Sequence, residues 1–529
     1  MSQILIYGSD HLAFRVAEQL CAEGRVVTVI ARPGSWLANA VAAGNLGSLQ
    51  IKDFFSEQTT DVALLQKAGI ETAEALFAIT DLDEANLGVA LAALELNPRL
   101  RVVLRQFNVR LGQLLEKYLA QCEVMSMSAL AATTFALAAC APGVRFAHTL
   151  GVDTLVLRED TASDYKQPNA KVVLAVDGET TKWFPEPDLA FGPGAKLLIA
   201  STDRELPGYP ETNRSQSAPR ARRDRRTNRI LLAVAAYLLV LVISASLYFK
   251  LRLGMSVFNA IYFVIITITS VGFVDFSLRD TDALSRIIGV VLMISGLGIS
   301  AVFFALLTNH LVARQQAINQ GQVRQKISNH TIVCGLGVVG LRVAQNLQQR
   351  GEPVVLVEKD EGGRFVAEAR HLGIPIVIGD ALQEQTLRYA NIAQARSLAV
   401  CSNPDHLNLE IALHARSLQP DLPVVLRMFD PDLARRVAHH FNLSTTFSSA
   451  ALVAARFAAP ATRSTHLCNL QFEKLNLEFH QIDLPAGQTA AGLAEKHNGQ
   501  LIALVDSEGR LTFDANESFK PSSIIVVKH

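Results

Sequence analysis

The stretch that decides the fold reads Ile332-Val333-Cys334-Gly335-Leu336-Gly337-Val338-Val339-Gly340. A short apolar run predicts a buried β-strand, and the glycines directly after it predict a tight turn into a helix. A second apolar run ends at Glu358, about twenty residues further on. This order predicts a βαβ unit in which Glu358 stands at the end of the second strand.

The spacing of the glycines suits a nucleotide. Glycines at such a turn let a pyrophosphate approach the N-terminus of the helix, and the Glu358 carboxylate can accept hydrogen bonds from ribose hydroxyls. The alternative is that the glycines serve only close packing of strand against helix. The candidate nucleotide-binding residues of this turn are Gly335, Gly337, Val338, Val339 and Gly340.

The same order of elements occurs near the start of the chain. Leu5-Ile6-Tyr7-Gly8 parallels Ile332–Gly335, and Val102–Phe107 parallels Val424–Phe429. The sequence therefore predicts one α/β domain with a parallel, doubly wound sheet, present twice. We call residues 1–143 the N-terminal copy and residues 328–465 the C-terminal copy, and a small β-rich lobe is expected after each, at 144–205 and 466–529.

The turn of the N-terminal copy differs in its chemistry. It reads Gly8-Ser9-Asp10-His11-Leu12-Ala13, with two of the three glycines replaced. A carboxylate at Asp10 repels a phosphate at close range, and Ala31-Arg32 stands where the other copy has Glu358. We expect no dinucleotide binding of the usual kind here, although Arg32 could pair with a phosphate placed differently.

A membrane module separates the two copies. A linker rich in Pro, Ser and Arg is expected at 206–229, followed by a pore module at 230–315. Its two long helices are expected at 230–249 and 284–312, with uncharged runs at 230–249 and 287–307. An apolar run at 255–269 is too short to cross and is predicted to be a re-entrant helix. Arginines before the first helix and basic residues after the second place both termini in the cytoplasm. The alternative is that these runs are core helices of a soluble protein.

Between the re-entrant helix and the second long helix stands Thr269-Ser270-Val271-Gly272-Phe273-Val274-Asp275. It resembles the selectivity filter of two-helix potassium channels, whose usual form is Thr-Val-Gly-Tyr-Gly-Asp. The resemblance implies K+ in the filter and a homotetramer around one pore. Val274 replaces the second glycine, and a β-branched residue resists positive φ, so a weakly selective cation channel is the alternative. Gly296 and Gly298 in the second helix are either a packing site or a gate hinge.

The repeated domains resemble the RCK (KTN) regulatory domains of potassium channels and of Trk/Ktr-type transporters. In the C-terminal copy the resemblance is carried by Gly335–Gly340, Glu358, Ile378-Gly379-Asp380 and Asn408-Leu409-Glu410, and in the N-terminal copy by Asp81–Leu87. It implies binding of NAD(H), ATP/ADP or divalent ions, a ring of such domains that gates the pore, and a place for Asp380 near the adenosine.

Composition narrows the alternatives. The 529 residues have zero formal net charge, which gives no general attraction for nucleic acid. The six cysteines show no metal-type spacing, so we expect structural thiols and no metal site.

An NAD-dependent oxidoreductase is the competing class of protein, but no group of acidic or basic residues suited to catalysis accompanies the glycines, and no catalytic residue is predicted. The histidines considered are His371, His406, His439 and His440, all on surface-like stretches. A regulatory subunit for a separate transporter is a third possibility, made redundant by the chain's own pore-like segment. The expected location is the cell (inner) membrane, crossed more than once and surrounded by lipid.

Overall fold

A computed structural model of the chain describes residues 3–42, 51–56, 62–162, 170–178, 180–185, 191–192, 194–206, 225–269, 278–279, 281–319, 327–443, 445–462, 465–514 and 519–528. The chain divides into two compact units. One consists of Met1–Gln216 together with Ile327–His529, and the other of Ser217–Lys326.

The N-terminal copy is a six-stranded sheet in the order β3-β2-β1-β4-β5-β6, and its neighbouring strands are all parallel. Helices follow the strands, as a parallel sheet requires. Its strands are β1 (Gln3–Tyr7), β2 (Val26–Ala31), β3 (Ile51–Ser56), β4 (Ala75–Ala78), β5 (Arg101–Arg105) and β6 (Cys122–Met125). Its helices are α1 (His11–Ala22), α2 (Trp36–Ala42), α3 (Val62–Lys67), α4 (Asp83–Leu96), α5 (Val109–Tyr118) and α6 (Met127–Cys140).

An antiparallel lobe follows, with the strand order β10-β9-β11-β8-β7. Its strands are β7 (Val144–Thr149), β8 (Thr154–Thr161), β9 (Lys171–Asp177), β10 (Thr180–Trp183) and β11 (Lys196–Thr202). Gly178 lies in the β9–β10 turn with φ of +62°, a conformation that glycine adopts without strain.

The second unit contains three helices, α7 (Arg225–Leu253), α8 (Val257–Ile268) and α9 (Ala283–Asn319). The predicted limits of 230–249 and 284–312 were too short. Arginine, lysine and glutamine are good helix formers, so the two long helices continue past their apolar segments. The chain leaves α7 through Gly254 at φ +64°, and the Ser256 hydroxyl caps α8 by accepting from the Asn259 amide at 3.2 Å. The predicted re-entrant helix at 255–269 is therefore shorter, at Val257–Ile268.

The C-terminal copy repeats the first sheet, in the order β14-β13-β12-β15-β16-β17. Its strands are β12 (His330–Cys334), β13 (Val354–Glu358), β14 (Ile376–Ile378), β15 (Ala395–Val400), β16 (Val424–Met428) and β17 (Thr446–Ser448). Its helices are α10 (Val338–Gln349), α11 (Val366–His371), α12 (Glu384–Tyr389), α13 (Asp405–Leu418), α14 (Pro431–His440) and α15 (Ser449–Thr462).

A second antiparallel lobe ends the chain, in the order β18-β19-β22-β20-β21. Its strands are β18 (His466–Phe472), β19 (Leu475–Asp483), β20 (Gln500–Val505), β21 (Leu511–Thr512) and β22 (Ser523–Lys528), and it includes one helix, α16 (Ala490–Lys496). Two Rossmann-like parallel sheets, each with a small β lobe, thus flank apolar helices, and the predicted fold class is confirmed.

A buried asparagine explains part of the sequence repeat. Asn86 in α4 donates from Nδ2 to the carbonyls of Thr80 and Arg105, both at 3.0 Å. Asn408 in α13 does the same with Ser402 and Arg427, at 2.8 and 2.9 Å. Each asparagine thereby joins the ends of two neighbouring strands, β4 to β5 and β15 to β16.

The two copies pack against each other within one chain. Helix α6 of the N-terminal copy lies on α10, and α15 of the C-terminal copy lies on α1. One hydrophobic cluster contains residues of both sheets and of these four helices. At its centre the rings of Phe135 and Phe447 meet edge to face, 5.4 Å apart. The two domains therefore share a core, which orients their glycine turns toward a common space.

Candidate nucleotide site and pore module

The three glycines of the C-terminal turn have three different surroundings. Gly335 has φ of +90°, and a Cβ there would lie 2.7 Å from the backbone of Ser402. A Cβ on Gly340 would lie 1.9 Å from the carbonyl oxygen of Gly335. Gly337 is the N-cap residue of α10, and a Cβ there would meet nothing within 4 Å. Gly335 thus makes the turn, Gly340 allows the helix to approach it, and Gly337 leaves open space at the helix N-terminus.

Glu358 is fixed at the end of β13. Its Oε2 accepts from the Leu336 amide at 2.7 Å, and its Oε1 accepts from the Asp360 amide at 3.0 Å. The carboxylate therefore holds the glycine turn in place. It also lines the cleft beside that turn, where a carboxylate oxygen can accept further hydrogen bonds.

Asp380 lies beyond the end of β14, on the same side of the sheet. Lys359 Nζ is 2.8 Å from Asp380 Oδ2, and the Leu382 amide donates to Oδ1 at 3.0 Å. The hydrogen bond from Lys359, followed by that from the Leu382 backbone, lowers the pKa of Asp380. Asp380 is therefore an acceptor at neutral pH, and it also lines the cleft.

The cleft has a volume of about 920 Å³ and is lined by both copies. This is within the usual range of ligand sites, roughly 300–1,000 Å³. Phe107 of the N-terminal copy packs edge to face on Phe365, with ring centroids 5.2 Å apart. The guanidinium groups of Arg342 and Arg364 lie over the Phe107 ring, at 5.2 and 5.7 Å from its centroid. Sequence reasoning missed this contribution, because nothing local to Phe107 indicates which domain faces it.

The N-terminal turn carries its own anion. Asp10 caps α1, and its Oδ1 accepts from the amides of Leu12 and Ala13 at 3.1 and 3.2 Å. Its Oδ2 accepts from Arg105 Nη1 at 2.6 Å. In this copy a side-chain carboxylate therefore occupies the helix N-terminus, where the other turn is open. Arg32, which could pair with a phosphate here, forms an ion pair with Asp81, and its Nη2 lies 3.7 Å from Asp81 Oδ1.

Arg427 is the counterpart of Arg105, and its partners differ. It donates from Nη1 to the Cys401 carbonyl and to Asn403 Oδ1, both at 3.2 Å, and its guanidinium lies 4.3 Å from the centre of the Phe429 ring. Burial lowers the pKa of Arg427 to about 10, so it keeps its charge at neutral pH. Among the described residues it makes no ion pair with a carboxylate. The C-terminal half of the cleft thus holds a buried cation together with an open helix N-terminus.

The remaining candidates are not brought together. The four histidines considered are all exposed. Two of them lie on separate elements, His371 and His406, and the other two are adjacent on α14, His439 and His440. Five of the six cysteines are buried, and burial raises the pKa of Cys122 to about 11. Burial likewise raises the pKa of the other four buried thiols, so these five are protonated at neutral pH.

In the membrane unit, the filter positions Ser270, Val271, Gly272, Phe273, Val274 and Asp275 lie outside the described residues. Thr269, at the end of α8, donates its hydroxyl to the Ile265 carbonyl at 2.8 Å. A Cβ on Gly296 would lie 3.0 Å from Ile268 Cα, so α9 passes close to the end of α8 there. A Cβ on Gly298 would meet nothing within 4 Å. Of the two glycines, Gly296 makes a packing contact and Gly298 does not.

Two helices of the described chain are long and apolar enough to cross a membrane. They cover Ala236–Leu253 of α7 and Ala283–Thr308 of α9, and 11% of each is buried. Core helices of a soluble protein would be mostly buried, so this alternative does not fit the structure.

Comparison with known proteins identifies the two α/β copies and the membrane helices between them as separate domains. The TrkA-N domain matches residues 4–126 and again 331–442, and the ion channel domain matches residues 236–313. A probable potassium channel protein 2 of Methanocaldococcus jannaschii is 26% identical over 220 residues, which are 40% of this chain and 63% of that protein. A Trk system potassium uptake protein TrkA homolog of Pyrococcus horikoshii is 26% identical over 201 residues, which are 36% of this chain and 87% of that protein.

Other similarities are more limited. An uncharacterized protein of Methanothermus fervidus is 30% identical over 209 residues, and the match covers 38% of this chain and 32% of that protein. This chain thus spans less than two-thirds of the Methanothermus and Methanocaldococcus relatives. A structure of the GsuK channel bound to NAD is similar over 99% of this chain and 76% of its own, at 13% identity and a TM-score of 0.49. By its domain matches, the chain carries one TrkA-N (RCK) domain before an ion channel domain and a second one after it.

Proposed function

We propose that this protein is a ligand-gated potassium channel whose gate responds to an adenine nucleotide, NAD(H) or ATP/ADP, bound to the C-terminal copy. Nucleotide binding is supported by the open N-terminus of α10 at Gly337, which lies in a cleft lined by both copies. The amides at this end of α10 and the charge of Arg427 would hold the phosphates, and Glu358 and Asp380 would accept from the ribose and the adenosine.

The cleft offers a means of coupling. Phe107 of the N-terminal copy rests on Phe365, Arg342 and Arg364 of the C-terminal copy, at the border of the proposed nucleotide site. A ligand that touches both copies favours whichever mutual arrangement gives it more contacts. The gate can respond only to the extent that the ligand binds its two states with different affinity.

The pore part of the proposal rests on the ion channel domain and on the filter sequence. Residues Thr269 to Asp275 would hold dehydrated K+ in a homotetramer embedded in lipid, with both termini in the cytoplasm of the cell (inner) membrane. Gly298 is the better candidate for a hinge in α9, because Gly296 is engaged with Ile268. Weak selectivity caused by Val274 is the second candidate function.

Flux through the purified chain in liposomes tests the channel. We expect K+ flux that changes on addition of NAD+ or ADP, and a reversal potential that favours K+ over Na+. Equal permeability of the two ions would support the weakly selective alternative. Absence of cation flux with and without nucleotide would contradict the channel proposal. The oxidoreductase alternative predicts turnover of NAD(H), which the near-ultraviolet absorbance of NADH would detect.

A further inference from the structure

The C-terminal lobe contains two buried histidines that have no part in the sites above. His466 begins β18 and pairs across the antiparallel ladder with His480 of β19. Their rings are stacked, with centroids 4.6 Å apart and planes inclined by 16°. Only 2% of His466 and 8% of His480 is exposed. Glu478 stands two residues before His480, so it lies on the same face of β19.

These three side chains offer converging donor atoms. One ligand atom from each lies within 4.8 Å of the other two. His480 Nε2 is 3.5 Å from Glu478 Oε2, and this buried nitrogen makes no hydrogen bond within the described part of the chain. Buried polar atoms nearly always have a partner, and an ion held between Glu478 and the two rings would give this nitrogen one.

The burial of the histidines suits coordination. Both rings are shielded from solvent, and the neutral imidazole that burial favours is the form that binds metal. Glu478 is half exposed and can adjust its position over the two rings.

We propose that His466, Glu478 and His480 form a binding site for a divalent transition metal ion, Zn2+ being the best match. Two imidazoles and one carboxylate are a zinc ligand set that leaves the fourth position to water. Ca2+ and Mg2+ prefer oxygen ligands throughout and fit this set poorly. Tetrahedral ligand atoms at about 2.0–2.1 Å from zinc are about 3.3–3.4 Å apart, so donor atoms that are up to 4.8 Å apart here would approach one another by up to about 1.5 Å.

The site lies where the C-terminal lobe meets the N-terminal copy. Gln19 of α1 places its Nε2 3.3 Å from His466 Nδ1, and its Oε1 accepts from Asn469 Nδ2 at 3.0 Å. In the structure the Gln19 amide nitrogen donates to Nδ1. A metal on His466 Nε2 would leave the ring proton on Nδ1, which needs an acceptor, so the Gln19 side chain would have to turn its Oε1 toward the ring. Metal binding would therefore act on the contact with α1, the helix that begins after Asp10.

Titration of the purified, tag-free full chain with Zn2+ after chelator treatment tests this site. We expect one Zn2+ per chain, lost in the double variant His466→Ala/His480→Ala. Glu478→Gln should weaken binding by at least about tenfold, since even outer-shell partners of a metal contribute 10–100-fold. Substitution with Co2+ should give the visible absorption bands of a tetrahedral site.

The matched control is His439→Ala/His440→Ala. These histidines are also neighbours, with ring centroids 5.1 Å apart, but they are exposed on α14. The control should bind Zn2+ like the wild type. If the buried pair is needed for folding, the exposed Glu478→Gln variant decides the question. The proposal is overturned if the wild type binds no Zn2+, if Glu478→Gln binds it with unchanged affinity, or if the control variant loses it.

Discussion

The two glycine turns of this chain occupy the same place in the same fold. They differ in whether a carboxylate of the chain lies at the N-terminus of the helix that follows. In the N-terminal copy, Asp10 caps α1 and pairs with Arg105. In the C-terminal copy, Gly337 leaves the start of α10 open, and Arg427 has no carboxylate partner among the described residues. A helix N-terminus favours an anion, and the chain itself can provide one. One turn is thus closed by the chain's own carboxylate, and the other is open.

The largest effect is expected when the C-terminal turn is made to resemble the N-terminal one. Gly337→Asp places a carboxylate at the start of α10, where it takes the amides and repels a phosphate. We expect the affinity for NAD+ and ADP to fall at least about 100-fold, or about 2.7 kcal/mol. Isothermal titration of the full chain in detergent measures it.

Gly88→Asp is the matched control for that substitution. Gly88 is exposed on α4, and a Cβ there would also meet nothing within 4 Å. It adds the same charge away from the cleft, so nucleotide affinity should not change. Equal loss of affinity in both variants would mean that charge alone, and not its place at α10, is responsible.

The second prediction concerns the third glycine of the C-terminal turn, Gly340, and its counterpart in the N-terminal turn, Ala13. Gly340→Ala brings a Cβ against the Gly335 carbonyl, and overpacking of this kind costs about 1–3 kcal/mol. The reverse change in the other copy, Ala13→Gly, removes a buried methyl group as well as helix propensity and should cost about 1–2 kcal/mol. The two tryptophans, Trp36 and Trp183, both lie in the first unit, so thermal unfolding followed by their fluorescence reports on it. A more stable Gly340→Ala protein would contradict the assigned packing role.

The third prediction separates the two roles of Asp10. Asparagine is as good an N-cap as aspartate, so Asp10→Asn removes mainly the ion pair with Arg105 and should cost below about 1 kcal/mol. Asp10→Ala removes the cap as well and should cost about 1–2 kcal/mol. The same fluorescence measurement compares them. Equal stability of the two variants would show that the cap contributes nothing.

The smallest effect is expected at Lys359, which lowers the pKa of Asp380. A carboxyl with a lowered pKa in the folded state adds stability above its unfolded pKa, and this is lost as the pH falls below about 4. Lys359 is exposed, so screening by solvent keeps this contribution small. Lys359→Met should therefore reduce the acid-side loss of stability between pH 5 and 3. An unchanged pH dependence of stability would show that this ion pair does not stabilise the folded protein.

Local patterns predicted much of the fold. The apolar runs before Gly8 and Gly335 are strands, and the glycine spacing gave the turn into α10. The ends of α7 and α9 were misjudged because charged and polar residues prolong a helix beyond its apolar part. The packing of α6 on α10 and of Phe107 on Phe365 joins residues more than 200 positions apart, and no local signal encodes such a pairing. His466 and His480 escaped notice for the same reason, since strand register brings them together.

The most direct test of the central comparison is the number of nucleotides that one chain binds. Equilibrium dialysis of the purified full chain with NAD+, and separately with ADP, gives this number. We expect one nucleotide per chain, absent in Gly337→Asp and retained in Asp10→Asn. Two nucleotides per chain, or one that persists in Gly337→Asp, would contradict it.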